Sequence, residues 1–260
     1  MPAAEFILVD ISNSFTKVAF SSRGRVGRAL RLPTARLTAA SLRKLIGSRR
    51  VRHAVAASVV PEKNKILNLV LPHPICWVDH KATLGIGINY PNPAAIGADR
   101  LANAVAARAL YGAPSVVVDF GTAVTFDVIS AKGEYIGGVI TPGLSAMTDY
   151  LHSRTALLPR VTLREPRRAI GRSTKEAMQS GAVHGYRGLI SEIVRQILRE
   201  MNAKKMPPII ATGGDARLIA GKTGIFSAVD PGLTLEGLRL IGGLNFPVQE
   251  KTRPAGPKAR

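Results

Sequence analysis

Apolar positions along the chain come in short blocks of four to eight, and the blocks fall in two similar series. The first half places strand-like runs at 6–10, 16–20 and 25–32, then an amphipathic stretch from Thr38, an apolar strand at 54–60 and a helix opened by Pro61. Proline suits a first helical turn, where its missing N–H would have no partner anyway. The second half gives runs at 115–119, 124–129 and 134–140, a helix from Pro142 and a longer one from Ser173. It continues with an apolar strand at 208–212 and helices after Gly213 and Thr234. Ser173 followed three residues later by Glu176 is a capping-box pattern.

The likeness of the two series extends to residues. Ile7-Leu8-Val9-Asp10-Ile11-Ser12-Asn13-Ser14-Phe15-Thr16 is answered by Val116-Val117-Val118-Asp119-Phe120-Gly121-Thr122-Ala123-Val124-Thr125. Each is an apolar run ending in Asp, then a small polar turn, with Thr six residues after the Asp. A repeat at domain-sized distance points to a duplicated α/β domain rather than a solenoid. The boundary falls near Gly112-Ala113-Pro114, giving domains at 1–112 and 113–247, followed by a Pro-rich basic tail at 248–260 expected to be disordered.

Composition narrows the picture without naming a partner. The chain has 260 residues, 46% of them apolar, enough for a sizeable core. Its 36 Lys and Arg against 17 Asp and Glu give a formal charge of +19, spread along the chain, with no acidic residue between Asp10 and Glu62. Such a field attracts anions of every kind. No nucleic-acid motif accompanies it, so no specific nucleic acid is expected. The single cysteine, Cys76, excludes an internal disulfide and a cysteine-based zinc site, which fits a reducing, cytoplasmic setting. The apolar run at Phe6–Val9 is too short for a membrane span or a signal peptide.

A strand that ends in Asp and turns through small residues puts backbone N–H groups and short hydroxyls where an oligophosphate can lie. In the first copy Asn13, Ser14 and Thr16 offer hydrogen bonds, Lys17 a positive charge, and Asp10 a carboxylate able to hold hydrated Mg2+ against phosphates. Gly121, Thr122 and Asp119 are their counterparts in the second. The run from Ile209 to Ala216 leads an apolar strand into the pair Gly213-Gly214, where backbone can approach a ligand such as adenosine. Asp99 sits in the first turn of a helix opened by Gly97-Ala98. It is either a carboxylate complementing the helix dipole or a general base, with Arg100 beside it to hold an acidic substrate. The five histidines show no metal-ligand spacing.

Five segments in order carry a resemblance: Tyr90-Pro91-Asn92-Pro93, Gly97-Ala98-Asp99-Arg100, Asp119-Phe120-Gly121-Thr122-Ala123, Gly137-Gly138-Val139-Ile140-Thr141-Pro142-Gly143 and Ala177-Met178-Gln179-Ser180-Gly181. Over about residues 6–245 the chain resembles type III pantothenate kinases. The resemblance implies two ribonuclease-H-like domains of the actin, Hsp70 and sugar-kinase type, with ATP in the cleft between them. It implies transfer of the ATP γ-phosphoryl group to pantothenate, the first step of coenzyme A synthesis, by a homodimer needing Mg2+ and a monovalent cation, K+ or NH4+.

Carried over by position, Asp10, Ile11, Ser12, Asn13, Ser14, Phe15, Thr16 and Lys17 resemble the first ATP loop, with Thr122 a further ATP contact. Asp119 matches a monovalent-cation ligand, and Asp99 a proton acceptor. Tyr90, Gly97, Ala98, Asp99, Arg100 and Thr174 match pantothenate contacts. One position departs. The family's usual loop is Asp-x-Gly-Asn-Thr, whereas this chain has Asp10-Ile11-Ser12-Asn13-Ser14, and serine accepts fewer backbone angles than glycine. A rival expectation is a nucleotide-sensing regulator of the same fold with little turnover, and another is a kinase for a different hydroxy acid.

Overall fold

The computed structural model describes residues 4–203 and 205–247, so the tail expected at 248–260 lies outside them. Two sheets organise the chain. The first has the order β3-β2-β1-β4-β5, built from β1 (Ala4–Ile11), β2 (Phe15–Ser21), β3 (Leu30–Pro33), β4 (Val51–Ser58) and β5 (Ile75–Trp77). The second runs β11-β10-β7-β8-β9-β6, from β6 (Gly87–Ile88), β7 (Ser115–Phe120), β8 (Ala123–Ile129), β9 (Glu134–Pro142), β10 (Ile209–Gly213) and β11 (Ala228–Val229). In both, an antiparallel meander of three strands is extended by parallel strands: β1 pairs antiparallel with β2 and parallel with β4, as β7 does with β8 and β10.

Both sheets are covered on both faces, which is why β1, β4 and β7 read as nearly unbroken apolar runs. Alternate residues of β1 divide between two cores. Ile7, Val9 and Ile11 pack with Leu42 of α1 (Ala39–Ile46) and Leu67 of α2 (Asn64–Val70). Phe6 and Leu8 face a central layer made by α3 (Ala98–Tyr111) and α7 (Leu233–Asn245). On the second sheet Val117 and Ile210 face that same central layer. Val116, Val118 and Phe126 pack outward against α5 (Thr174–Met201) and α6 (Ala216–Ala220), with α4 (Leu144–Arg154) against α5.

The central helices are exchanged relative to chain order, and this exchange positions the site. Helix α7, from the end of the chain, packs on β1 and β4, while α3, from the first half, packs on β7 and β8. They can lie this close because Gly237 abuts the Ala102 carbonyl, where a Cβ would stand 2.0 Å from that oxygen. Leu101 and Leu238 are fully buried in this layer, and truncating either to alanine would cost about 2–5 kcal/mol.

Sequence periodicity overran in one place and fell short in others. Of the run at 25–32 only its end is strand: Val26 makes a lone bridge to Ser21, and the glycines and arginines around it form a loop. The short strands β5, β6 and β11 carry too few residues to show a period. Ser173 caps α5 by accepting from the Glu176 amide, but Glu176 reaches back to the Arg172 amide rather than to Ser173, so half of the capping box forms.

Candidate active site

The repeated Asp-turn units form facing hairpins. Ser14 Oγ lies 2.8 Å from Thr122 Oγ1, a side-chain hydrogen bond between the two halves of the chain. Asn13, Ser14, Gly121 and Thr122 are exposed, whereas Ile11 is fully buried and can contribute only backbone. Phe15 is partly buried beneath the Arg31 guanidinium, 3.4 Å from its ring centre. Ser12 is not in the left-handed region, so the loop places no demand for glycine there, and its hydroxyl donates to Asp10 Oδ1 at 3.2 Å.

Thr34, which no motif singled out, ties down the first loop. Its amide donates to the Ser14 carbonyl at 3.0 Å and its hydroxyl to the Ser12 carbonyl at 2.7 Å. Thr16 is fully buried with its hydroxyl 3.1 Å from that of Thr34. Thr125, its echo in the second hairpin, donates to Asp127. The repeated threonine therefore braces each hairpin from within, while Asn13, Ser14 and Thr122 present the open polar groups.

Three carboxylates converge beneath the hairpins. Burial pushes Asp10 up to about 6, opposed by Lys17, whose Nζ is 3.7 Å away, and reinforced by the charges of Asp99 and Asp119. Asp99 is raised by burial and by Asp119, against the Arg100 amide that donates to its Oδ1 at 2.8 Å. Asp119 is raised by burial, opposed by a hydrogen bond from Asn103 at 2.9 Å. Thr234 of α7 donates to Asn103 Oδ1 at 2.8 Å, so the central helices together orient Asp119. Gly213, at φ +93°, backs the same carboxylate: a Cβ there would stand 2.5 Å from Asp119 Oδ1. Gly213 is thus needed for packing, whereas Gly214 has open space beside it.

A fourth carboxylate raised by burial, which motif reading missed, stands against Arg100. Asp127 is fully buried in β8 and accepts from Arg100 Nε at 2.6 Å and from the Tyr135 hydroxyl at 3.2 Å. Burial raises it to about 7, with Arg100 opposing. Its sequence signal was a lone Asp inside Val124–Ile129, an apolar strand where a charge needs a partner. Tyr90 stands edge-on to Tyr135 at 6.0 Å, so Tyr90, Asp99 and Arg100 share one wall. Thr174 is exposed at the start of α5, and no hydrogen bond joins it to this group among the described residues.

No group of three or more His, Cys, Asp or Glu side chains forms a ready metal cage among the described residues. Carboxylates with Lys17 as their near counter-charge, beside open small-residue turns, suit instead a cation that arrives with phosphates, since Mg2+ keeps few protein ligands.

A family model for type III pantothenate kinase matches residues 6–196. The chain belongs to the type III pantothenate kinase family. It is 48% identical over 242 residues to a type III pantothenate kinase of Akkermansia muciniphila, covering 93% of this chain and 99% of that one. A relative from Methylacidiphilum infernorum with the same description is 43% identical over 248 residues, covering 95% and 92%. Among solved structures, the ethanolamine utilization protein EutJ of Carboxydothermus hydrogenoformans superposes with a TM-score of 0.59 at 15% identity, covering 93% and 91%. An archaeal actin homologue gives 0.53 at 13% identity, covering 90% and 98%. These last two share the fold alone, which is the actin-like pair of ribonuclease-H-like domains expected for a type III pantothenate kinase.

Proposed function

We propose that this chain phosphorylates pantothenate with ATP, the entry step to coenzyme A, at the junction of the two hairpins. The observation that carries the reading, beyond family membership, is the convergence of Asp10, Asp99 and Asp119, each raised by burial, under the contact of Ser14 with Thr122. A kinase needs little covalent help from its side chains; it must hold charge and align two oxygens.

In this reading the loop from Asp10 to Lys17, with Thr122, holds the ATP phosphates, Asn13 and Ser14 by hydrogen bonds and Lys17 by charge. The nucleoside lies toward Gly213 and Gly214, where the open space beside Gly214 leaves backbone free to be approached. Asp10 helps hold Mg2+, which supplies charge neutralisation on the phosphates when bound. Asp99 accepts the proton of the acceptor's primary hydroxyl, and its raised affinity for protons suits a general base. Tyr90, Gly97, Ala98, Arg100 and Thr174 contact the acceptor, Arg100 through its carboxylate. Asp119 ligates the monovalent cation, K+ or NH4+.

Residues 1–112 and 113–247 supply the two domains, with α3 and α7 exchanged between their sheets. Homodimer formation is supported by apolar side chains left exposed on α4, where Met147, Tyr150 and Leu151 are 40%, 63% and 37% accessible. A cytoplasmic location is consistent with the single cysteine; no helix among the described residues is long and apolar enough to cross a membrane. The deciding assay is ADP release with and without pantothenate, in K+ or Na+. ADP formation that pantothenate does not stimulate would sink the assignment.

A further inference from the structure

Asp127 has no part in phosphate or acceptor contact, although it is fully buried and held by three donors. We infer that Asp127 is a positioning residue which fixes the Arg100 guanidinium by one edge and so sets the preference for an acceptor bearing a carboxylate. The inference rests on the reading of Arg100 as the contact to that carboxylate.

Four features build the slot. Arg100 spends Nε on Asp127 at 2.6 Å and directs Nη2 toward the Phe126 carbonyl at 3.4 Å, while Nη1 has no hydrogen-bond partner among the described residues. One edge of the planar fork is anchored and part of the other is left to donate. Tyr135 donates to the same Asp127 oxygen and presents its ring 5.7 Å from the Arg100 guanidinium carbon. Gly138 stands opposite Asp127 in the β8–β9 ladder, where a Cβ would come 1.6 Å from the Phe126 carbonyl oxygen and 2.9 Å from Arg100 Nη2. Gly137, at φ +126°, lets β9 pass under the Tyr90 ring.

The arrangement is more than an ion pair for stability. Buried pairs give little net stabilisation, because desolvating both charges cancels most of their attraction. What such a pair does supply is a defined orientation. A guanidinium free to turn about its long side chain would spread its donors over several directions, and a carboxylate on the acceptor would lose its paired contact.

Asp127→Ala and Asp127→Asn variants test this by steady-state kinetics with pantothenate and with an uncharged N-alkyl amide of pantothenate, which keeps the reacting hydroxyl and lacks the carboxylate. For Asp127→Ala, KM for pantothenate should rise by about tenfold or more, with KM for ATP and for the amide moving by less than about threefold. Asn still offers an oxygen to Arg100 Nε, so Asp127→Asn should bring KM for pantothenate back to within about threefold of the parent. Equal rises for both acceptors, an unchanged KM for pantothenate, or no rescue by Asn would overturn the inference. Should Asp127→Ala fail to fold, Tyr135→Phe decides. Loss of its hydroxyl should raise KM for pantothenate by about threefold and leave the amide unaffected; any other pattern counts against it. An Arg100→Ala variant that treats the two acceptors alike would instead remove the underlying reading of Arg100, a separate failure.

Discussion

Ser14 and Thr122 stand 108 positions apart in the chain and 2.8 Å apart between hydroxyls, one from each copy of the Asp-turn unit. Neither is buried, and each belongs to a turn whose own ladder is complete without it. The contact therefore marks where the two hairpins face one another across the cleft. Its small free-energy value, about 0.5–1.5 kcal/mol for a hydrogen bond of this kind, makes it easy to replace with bonds to a phosphate.

If those hydroxyls serve ATP, Ser14→Ala and Thr122→Val should each raise KM for ATP by roughly 3–10-fold while KM for pantothenate stays near its parent value. The double variant should fall short of the product of the two, because both hydroxyls act on one ligand. An unchanged KM for ATP, or equal effects on both substrates, would place the pair outside the nucleotide site.

Ser12 is the departure from the family loop, and its backbone takes an ordinary conformation. Its hydroxyl donates to Asp10 and its carbonyl accepts from Thr34. Ser12→Gly should thus leave KM for ATP within about threefold and cost a few tenths to about 1 kcal/mol of stability through unfolded-chain entropy. A large gain in ATP affinity would show that serine does obstruct the phosphates.

The facing hairpins of the candidate site were legible in the chain because their parts are local. An apolar run ending in Asp and a small-residue turn is a self-contained unit, and two copies disclosed a cleft. What was hidden depends on distant pairing. Asp127 looks like an anomaly within an apolar strand until Arg100 arrives on α3, and Thr34 has no motif because its role is to accept the geometry of a loop twenty residues earlier. The exchange of α3 and α7 between sheets was equally hidden. Helix periodicity reports that a face is buried, not which sheet buries it.

Asp99→Asn separates chemistry from folding. Asn keeps an acceptor for the Arg100 amide but cannot take a proton, so if Asp99 is the general base turnover should fall on the order of 100-fold or more. Because burial and Asp119 disfavour the ionised form, the variant should be as stable as the parent or melt a few degrees higher near pH 8. A large fall in turnover together with a large loss of stability would point to a structural role instead.

The same carboxylates set a pH dependence of stability. Asp10 and Asp127 are raised by burial to about 6 and about 7, so between about pH 4 and 7 the folded chain binds more protons than the unfolded one. Stability is then greatest at the acid end of that window and falls as pH rises through it. Glu165, lowered to about 2 by its hydrogen bond with Arg187, acts in the opposite sense but below about pH 4.5. The ligand-free protein should therefore melt roughly 3–10 °C lower at pH 8 than at pH 5. Adding Mg2+ with ADP should shrink the difference by favouring the ionised carboxylates. A melting temperature that climbs from pH 5 to 8 would refute this electrostatic picture.

Asn103 offers a test of the monovalent-cation reading that does not touch the ligand itself. Its amide donates to Asp119 Oδ2 at 2.9 Å and its oxygen accepts from Thr234 at 2.8 Å, with Asn103 and Thr234 both buried. Asn103→Ala would leave Asp119 without that donor, raise its proton affinity further and free it to turn, since the hydrogen bond is what opposes the effect of burial. Activation by K+ should then need roughly tenfold more cation, and the acid limb of the activity profile should move to higher pH. Saturating K+ should restore much of the lost rate if Asp119 acts through the cation. An unchanged K+ dependence, with activity lowered equally at all concentrations, would mean that Asn103 serves the packing of α3 on α7 and that Asp119 is not the cation's ligand.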